Sequence, residues 1–321
     1  MVSLSRTTQR SALVALLLAF VAASCGGAAT GSLPPASGTP VTEAPYPRTV
    51  TDDAGSRVTI PAEPQQIVAL TPASLETLAE LNLADHVVGR ADCPCTPPEL
   101  ESVPIVADYV ETNVEAILEM SPDLVFAGGS DFTPAEVIAA LQGAGVPVVV
   151  VDPKGIDGVL ASLQLVGDAA GRSVAAATLV AGIRSDLDAL AAAVQGAVRP
   201  RVFYEIDATG AIYGLAPDDY AVELVERAGG EPVTSGANGV YEIGLEALIT
   251  AQPEVILLGD AAYGTTAEAV AARPGWEALP AVGNGKILPI DGDLVSTPGP
   301  RIAEALRALI AAIHPEIQLP Q

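Results

Sequence analysis

The chain has 321 residues, half of them hydrophobic but few aromatic, and a formal net charge of −24. So acidic a chain excludes nucleic acid as a partner, because nothing would neutralise the phosphates. The acidity favours solubility and repels anionic ligands at long range.

Arg6 and Arg10 precede the apolar run SALVALLLAFVAAS, which ends at Cys25. A basic start, a short apolar stretch and small residues before a break make a secretory signal, too short for a membrane span. Ala22-Ala23-Ser24-Cys25 resembles a bacterial lipobox, in which the cysteine takes a lipid and becomes the mature N-terminus. Ala22 stands where such motifs more often carry Leu. The expectation is a lipoprotein signal peptide over 1–24 and an extracytoplasmic protein anchored to the cell membrane through Cys25. Loss of two arginines and no acid would take the net charge from −24 to about −26. Residues 25–47 follow as a tether rich in Gly, Pro, Ser, Thr and Ala, with almost nothing to bury. About 275 residues are left, enough for two lobes with their own cores.

RTVTDDAGSRVTIP reads as a hairpin around Asp53-Ala54-Gly55. Residues 67–70 are a continuous apolar run, the pattern of a strand buried on both faces. Thr71-Pro72-Ala73-Ser74 turns the chain into a helix, SLETLAELN, with Glu76 in its first turn. Strands follow at 86–89, ending at Arg90, then at 124–127 and 146–151, with a helix at 134–142. This rhythm predicts right-handed crossovers and a parallel sheet. Ligands of such sheets sit beyond the carboxyl ends of the strands, here 71–74, 90–96, 128–132 and 152–154. Arg90 and Lys154 are the only bases on that edge. With Cys25 lipidated, Cys93 and Cys95 are an even pair in an oxidising compartment. A tight disulfide, free thiols, and a metal or haem ligand are the three readings of that pair.

Residues 172–195 carry Val180, Ile183, Leu187, Leu190 and Val194, one stripe of a helix about 36 Å long. Such a rod between two strand-and-helix halves predicts a strut over 172–197 joining an N-terminal α/β lobe, 48–171, to a C-terminal one, 198–321. The competing reading is a long helix inside one α/β domain. Beyond it, strands are expected at 201–206, 255–258 and 287–290, with helices near 220–228, 245–251 and 300–313. One unit recurs across the rod: NVEAILEMSPDLVFAG (113–128) aligns with GLEALITAQPEVILLG (244–259), pairing Glu115 with Glu246, Pro122 with Pro253 and Gly128 with Gly259. Two copies of one unit favour two similar lobes.

PQQIVALTPASLETLAELNLADHVVGR, TPPELESVPIVADYVETNVEAILEMSPDLVFAG, RPGWEALPAVGNGKILPIDGD and TPGPRIAEAL together resemble the substrate-binding lipoproteins of ABC importers for cobalamin, ferric siderophores and haem. The resemblance runs in order from Arg48 to the C-terminus. It implies two α/β lobes with parallel-rich sheets, bridged by one long helix, and a ligand cleft between them. It also implies that Glu115 and Glu246 dock on basic residues of the permease. Paired charges at a fixed separation would orient the two proteins and speed encounter, whereas the plainer role is stabilising two helix N-termini. Cleft aromatics are expected at Tyr109, Phe132, Tyr241 and Tyr263, with Ser74, Arg90 and Arg301 as polar ligand contacts. TPASLE and CPCTPPEL resemble the cobalamin members, although Cys93-Pro94-Cys95 stands where those carry a Tyr-containing stretch. A corrinoid is therefore the expected ligand, with siderophore or haem as the alternative. A related group holds zinc or manganese on three His and a carboxylate, but this chain has only His86 and His314. Neither a bare metal nor a cofactor is expected. No G-x-S-x-G, Walker, G-x-G-x-x-G or H-E-x-x-H motif occurs, so the expectation is a monomeric binding protein serving a permease and its ATPase, not an enzyme. The rival reading is a tethered ligand-sensing receptor of the same fold, not coupled to transport.

Overall fold

Apolar runs become strands wherever both faces can be covered, and this decides the architecture. A computed structural model describes residues 43, 45–108, 111–130 and 132–320. The signal peptide, Cys25, most of the tether and Tyr109 lie outside the described residues. The chain opens with a hairpin of β1 (Arg48–Thr51) and β2 (Arg57–Ile60). Asp52 and Asp53 fasten it by accepting backbone N–H groups from Val150 and Asp152 at 3.2 and 2.8 Å.

The first lobe then runs β3 (Ile67–Ala69), α1 (Pro72–Glu80), β4 (Val87–Ala91), β5 (Ile105–Ala107), α2 (Val114–Glu119), β6 (Leu124–Ala127), α3 (Ala135–Gly143) and β7 (Val148–Val150). Its five strands are parallel, in the order β5-β4-β3-β6-β7. Every residue of β3, β6 and β7 is buried, as expected of strands covered on both faces. Two helices follow, α4 (Gly155–Ala170) and α5 (Ser173–Ala193). The second lobe runs β8 (Arg201–Glu205), α6 (Tyr220–Arg227), β9 (Glu231–Val233), α7 (Leu245–Ala251), β10 (Val255–Leu258), α8 (Ala267–Ala271), α9 (Pro280–Gly283), β11 (Ile287–Pro289), α10 (Gly292–Ser296) and α11 (Ile302–Ile313). Its sheet is again all parallel, in the order β11-β10-β8-β9. The two parallel sheets are separate.

The long helix carries its stripe as expected. Ala176, near its start, packs in the first lobe's core, while Ile183, Leu187, Leu190 and Val194 pack in the second's. α4 has no counterpart among the expected elements, and it also touches both cores: Ile156, Val159, Leu160 and Leu163 on one side, Leu165, Val166, Ala169 and Ala170 on the other. The two helices approach so closely that a Cβ on Gly167 would lie 2.2 Å from that of Ala176. The join is thus a helix pair. β5, β9 and the short helices α8, α9 and α10 are likewise additions to the expected elements. His86, expected inside a strand, ends a single 3-10 turn just before β4 and contacts the Pro64 carbonyl through Nδ1 at 2.9 Å.

Candidate functional site

In both sheets the chain leaves its first strand toward one side and later returns to the other, so β3/β6 and β8/β10 are switch points. Crevices form at such points, beyond the carboxyl ends of the strands. The two edges face each other across a cleft enclosing about 300 Å³, at the low end of ordinary ligand pockets. The first lobe contributes Thr71–Ala73 after β3, Phe132 after β6 and Val151–Lys154 after β7. The second contributes Asp218 and Asp219 before α6 with Tyr220 at its start, Gly239 and Tyr241 before α7, and Ser296–Pro298 before α11.

Local chemistry fixes these walls. The Thr71 hydroxyl accepts from Ser74 N at 3.2 Å and caps α1, with Pro72 in the first turn. Asp219 caps α6 by accepting from Ala221 N at 2.7 Å. Burial pushes the Asp219 carboxyl up, opposed by that backbone bond and by the Tyr241 hydroxyl, which also bonds it. Tyr220 donates its hydroxyl to the Val295 carbonyl, and burial first, then Asp219, hold its own ionisation well above the usual phenol range. Lys154 Nζ is 3.2 Å from Asp152 Oδ1. Among the described residues the charged lining is therefore three carboxylates (Asp152, Asp218, Asp219) against one lysine, with no arginine.

Of the expected ligand residues, Phe132 and Tyr241 line the cleft, and Phe132 is 70% exposed. Tyr263 is also exposed but lies on a 3-10 turn after β10, away from the lining, with its hydroxyl 3.4 Å from Asp293 Oδ1. The three expected polar contacts are placed elsewhere. Ser74 is fully buried and its hydroxyl donates to the Thr71 carbonyl at 3.0 Å. Arg90 is buried and folds the loop after β4 back on itself, bonding the Ala91 and Glu101 carbonyls and Thr96 Oγ1 at 3.1–3.4 Å. That loop contains the Cys93–Cys95 disulfide, Cα to Cα 5.1 Å; it is the one expected edge segment absent from the cleft lining. Arg301 instead binds Glu76 of the first lobe.

Glu115 and Glu246 stand exposed in the first turns of α2 and α7. Among the described residues no group of His, Cys, Asp and Glu could hold a metal ion. The residues missed from sequence are Asp218, Asp219 and Tyr220, and the Ser296–Pro298 wall. A signal for the first existed: Asp218-Asp219 immediately before an apolar helical stripe is an N-cap pattern.

Two parallel-sheet lobes joined by helices, with a cleft between their carboxyl edges, define a two-lobed ligand-binding protein. The chain belongs to the periplasmic binding protein family, whose model matches residues 67–294. It is 31% identical over 276 residues to the uncharacterised ABC transporter substrate-binding lipoprotein YvrC of Bacillus subtilis, covering 84% of this chain and 87% of that one. It is 28% identical over 280 residues to a cobalamin-binding protein of Halobacterium salinarum, covering 84% and 74%. Among solved structures, the periplasmic haem-binding protein BhuT in complex with two haems is similar at 29% identity and a TM-score of 0.70, covering 77% and 98%.

Proposed function

We propose that this chain is an extracytoplasmic solute-binding lipoprotein of an ABC importer that holds a corrinoid between its lobes and delivers it to the permease. Membership of the family and the likeness to both a transporter lipoprotein and a cobalamin-binding protein support the class. The observation that carries the ligand is the charge of the cleft. Haem presents two carboxylates and ferric catecholates are polyanions, while the described residues of the walls offer three carboxylates and a single lysine. Each like-charge contact at 4 Å costs on the order of 1 kcal/mol even in water, and the chain's charge of −24 adds repulsion at longer range. A corrinoid rim carries carboxamides, whose N–H groups are donors for Asp152, Asp218 and Asp219. Phe132, Tyr220 and Tyr241 offer apolar surface for a flat ring.

In this reading Cys25 carries the lipid, residues 25–47 are the tether, and Glu115 with Glu246 docks on the permease. The test is a visible-light titration of purified protein with cyanocobalamin, haemin and a ferric hydroxamate, each followed by gel filtration. Cyanocobalamin is expected to co-elute at one equivalent and haemin to stay free. Tight haemin binding with no cyanocobalamin binding would overturn the ligand assignment. The sensing alternative is separated by uptake of labelled cyanocobalamin in cells lacking the gene for this chain.

A further inference from the structure

Behind the cleft the lobes are tied by carboxylates. Glu76, on α1, is only 4% exposed, and it lies 225 residues from its partner. Its Oε1 accepts from Arg301 Nε at 3.0 Å and from Nη2 at 2.5 Å. α1 begins at the first lobe's wall, Thr71–Ala73, and Arg301 follows the second lobe's wall, Ser296–Pro298, by three residues. The bond therefore joins the two walls a few residues from each. A second tie stands near the other walls. Glu223 of α6 accepts from Ile156 N, in the first turn of α4, at 2.8 Å, and its other oxygen holds Arg227 at 2.9 Å. Ile156 follows the Val151–Lys154 wall and Glu223 follows Asp218–Tyr220. Glu76 Oε2 is buried with no hydrogen-bond partner, with the Gly299 backbone close beside it. A buried ion pair is a poor source of stability, since apolar residues of the same volume serve as well. What two guanidinium nitrogens converging on one carboxylate oxygen add is direction.

We infer that Glu76–Arg301, backed by Glu223 on the α4 N-terminus, sets the separation of the cleft walls and through it ligand affinity. These are positioning residues that do not touch the ligand. The inference rests on the cleft being the ligand site, so one arm of its test needs no ligand. Spin labels go on E136C and E268C, exposed positions on α3 and α8, in the chain carrying C25A. Pulsed-EPR distances are compared between the parent, R301K and E76M/R301M. The parent should give one narrow distribution. E76M/R301M should give a broader or displaced one and bind cyanocobalamin about tenfold more weakly, while melting within a few degrees of the parent. R301K, which keeps the charge but not the fork, should fall between. An unchanged distribution in E76M/R301M overturns the inference, because a merely structural pair would leave the walls in place. Should that variant not fold, an unchanged distribution in R301K overturns it instead. A parent that ignores cyanocobalamin refutes the ligand assignment, and the distance arm still decides the clamp.

Discussion

Arg273→Met should remove a large part of the protein's stability, and the loss should depend on pH. Glu205 ends β8 with no exposure at all. Arg273 grips it with both terminal nitrogens, Nη1 to Oε2 at 2.5 Å and Nη2 to Oε1 at 2.8 Å. The guanidinium also lies 4.6 Å from the ring centre of Trp276, which is itself buried. Breaking a buried pair by removing one partner costs about 3–5 kcal/mol, because a charge is left uncompensated. Domains hold only about 5–15 kcal/mol in total. Burial already pushes the Glu205 carboxyl up, outweighing the hydrogen bonds and charge of Arg273 that lower it. In the variant nothing opposes burial, so the folded value rises further above the unfolded one. A group raised on folding contributes stability at low pH that is lost as pH rises through its folded value. The deficit should therefore be small near the ordinary carboxylate range and grow toward neutrality. Urea unfolding at several pH values measures it, with fluorescence from the single tryptophan, Trp276, as the probe. The double variant E205M/R273M should recover most of the loss. A deficit below about 1 kcal/mol at pH 8, or one that does not change with pH, would show that the pair is not the buried charge contact described.

Other substitutions test other parts of the molecule. Glu115→Ala with Glu246→Ala should abolish cellular uptake of labelled cyanocobalamin while leaving its affinity in solution unchanged; lost affinity would sink the docking role. Asn113 accepts from Ala116 N at 3.0 Å and caps α2, so Asn113→Ala should cost about 1 kcal/mol in urea unfolding. A Cβ on Gly292 would fall 2.0 Å from the Gly259 carbonyl oxygen, which is backbone and cannot swing aside. Gly292→Ala should therefore cost about 1–3 kcal/mol, whereas an equal change at Gly210, with open space around it, should do little.

What could be read from sequence divides along physical lines. The strands at 67–69, 124–127 and 255–258 were legible because burial on both faces demands unbroken apolar runs. α5 was legible because it buries one stripe. α4 was not: it divides its buried apolar residues evenly between two cores, where α5 gives the first only Ala176, so they do not fall on a single stripe, and Gly155, Gly158 and Gly167 lower its helical propensity. Charged side chains were the hardest. Nothing local distinguishes Arg301, 225 residues from the carboxylate it binds, from an arginine aimed at a ligand. Arg90 sat at an expected strand end beside β3, yet its side chain folds the following loop back on itself. The RPGW block gained its explanation only in three dimensions, as the Arg273–Trp276 stack over Glu205.

The recurring unit explains why cleft and proposed docking residues come together. Its backbone repeats as closely as its sequence: Ser121 and Gln252, at matching places before Pro122 and Pro253, both take positive φ, +53° and +51°. In each copy a helix is followed by a parallel strand, α2 by β6 and α7 by β10. A helix that returns the chain across a parallel sheet runs opposite to its strands, so its N-terminus lies at the strands' carboxyl edge. That edge is where Phe132 and the other cleft residues stand. Glu115 and Glu246, each in the first turn of its helix, are therefore carried to the same end of their sheets as the cleft. A membrane partner that bound both glutamates would be brought to the cleft mouth from both lobes at once. One duplicated topology thus supplies cleft walls and, in the same strokes of chain, a matched pair of exposed carboxylates at the same end of each sheet.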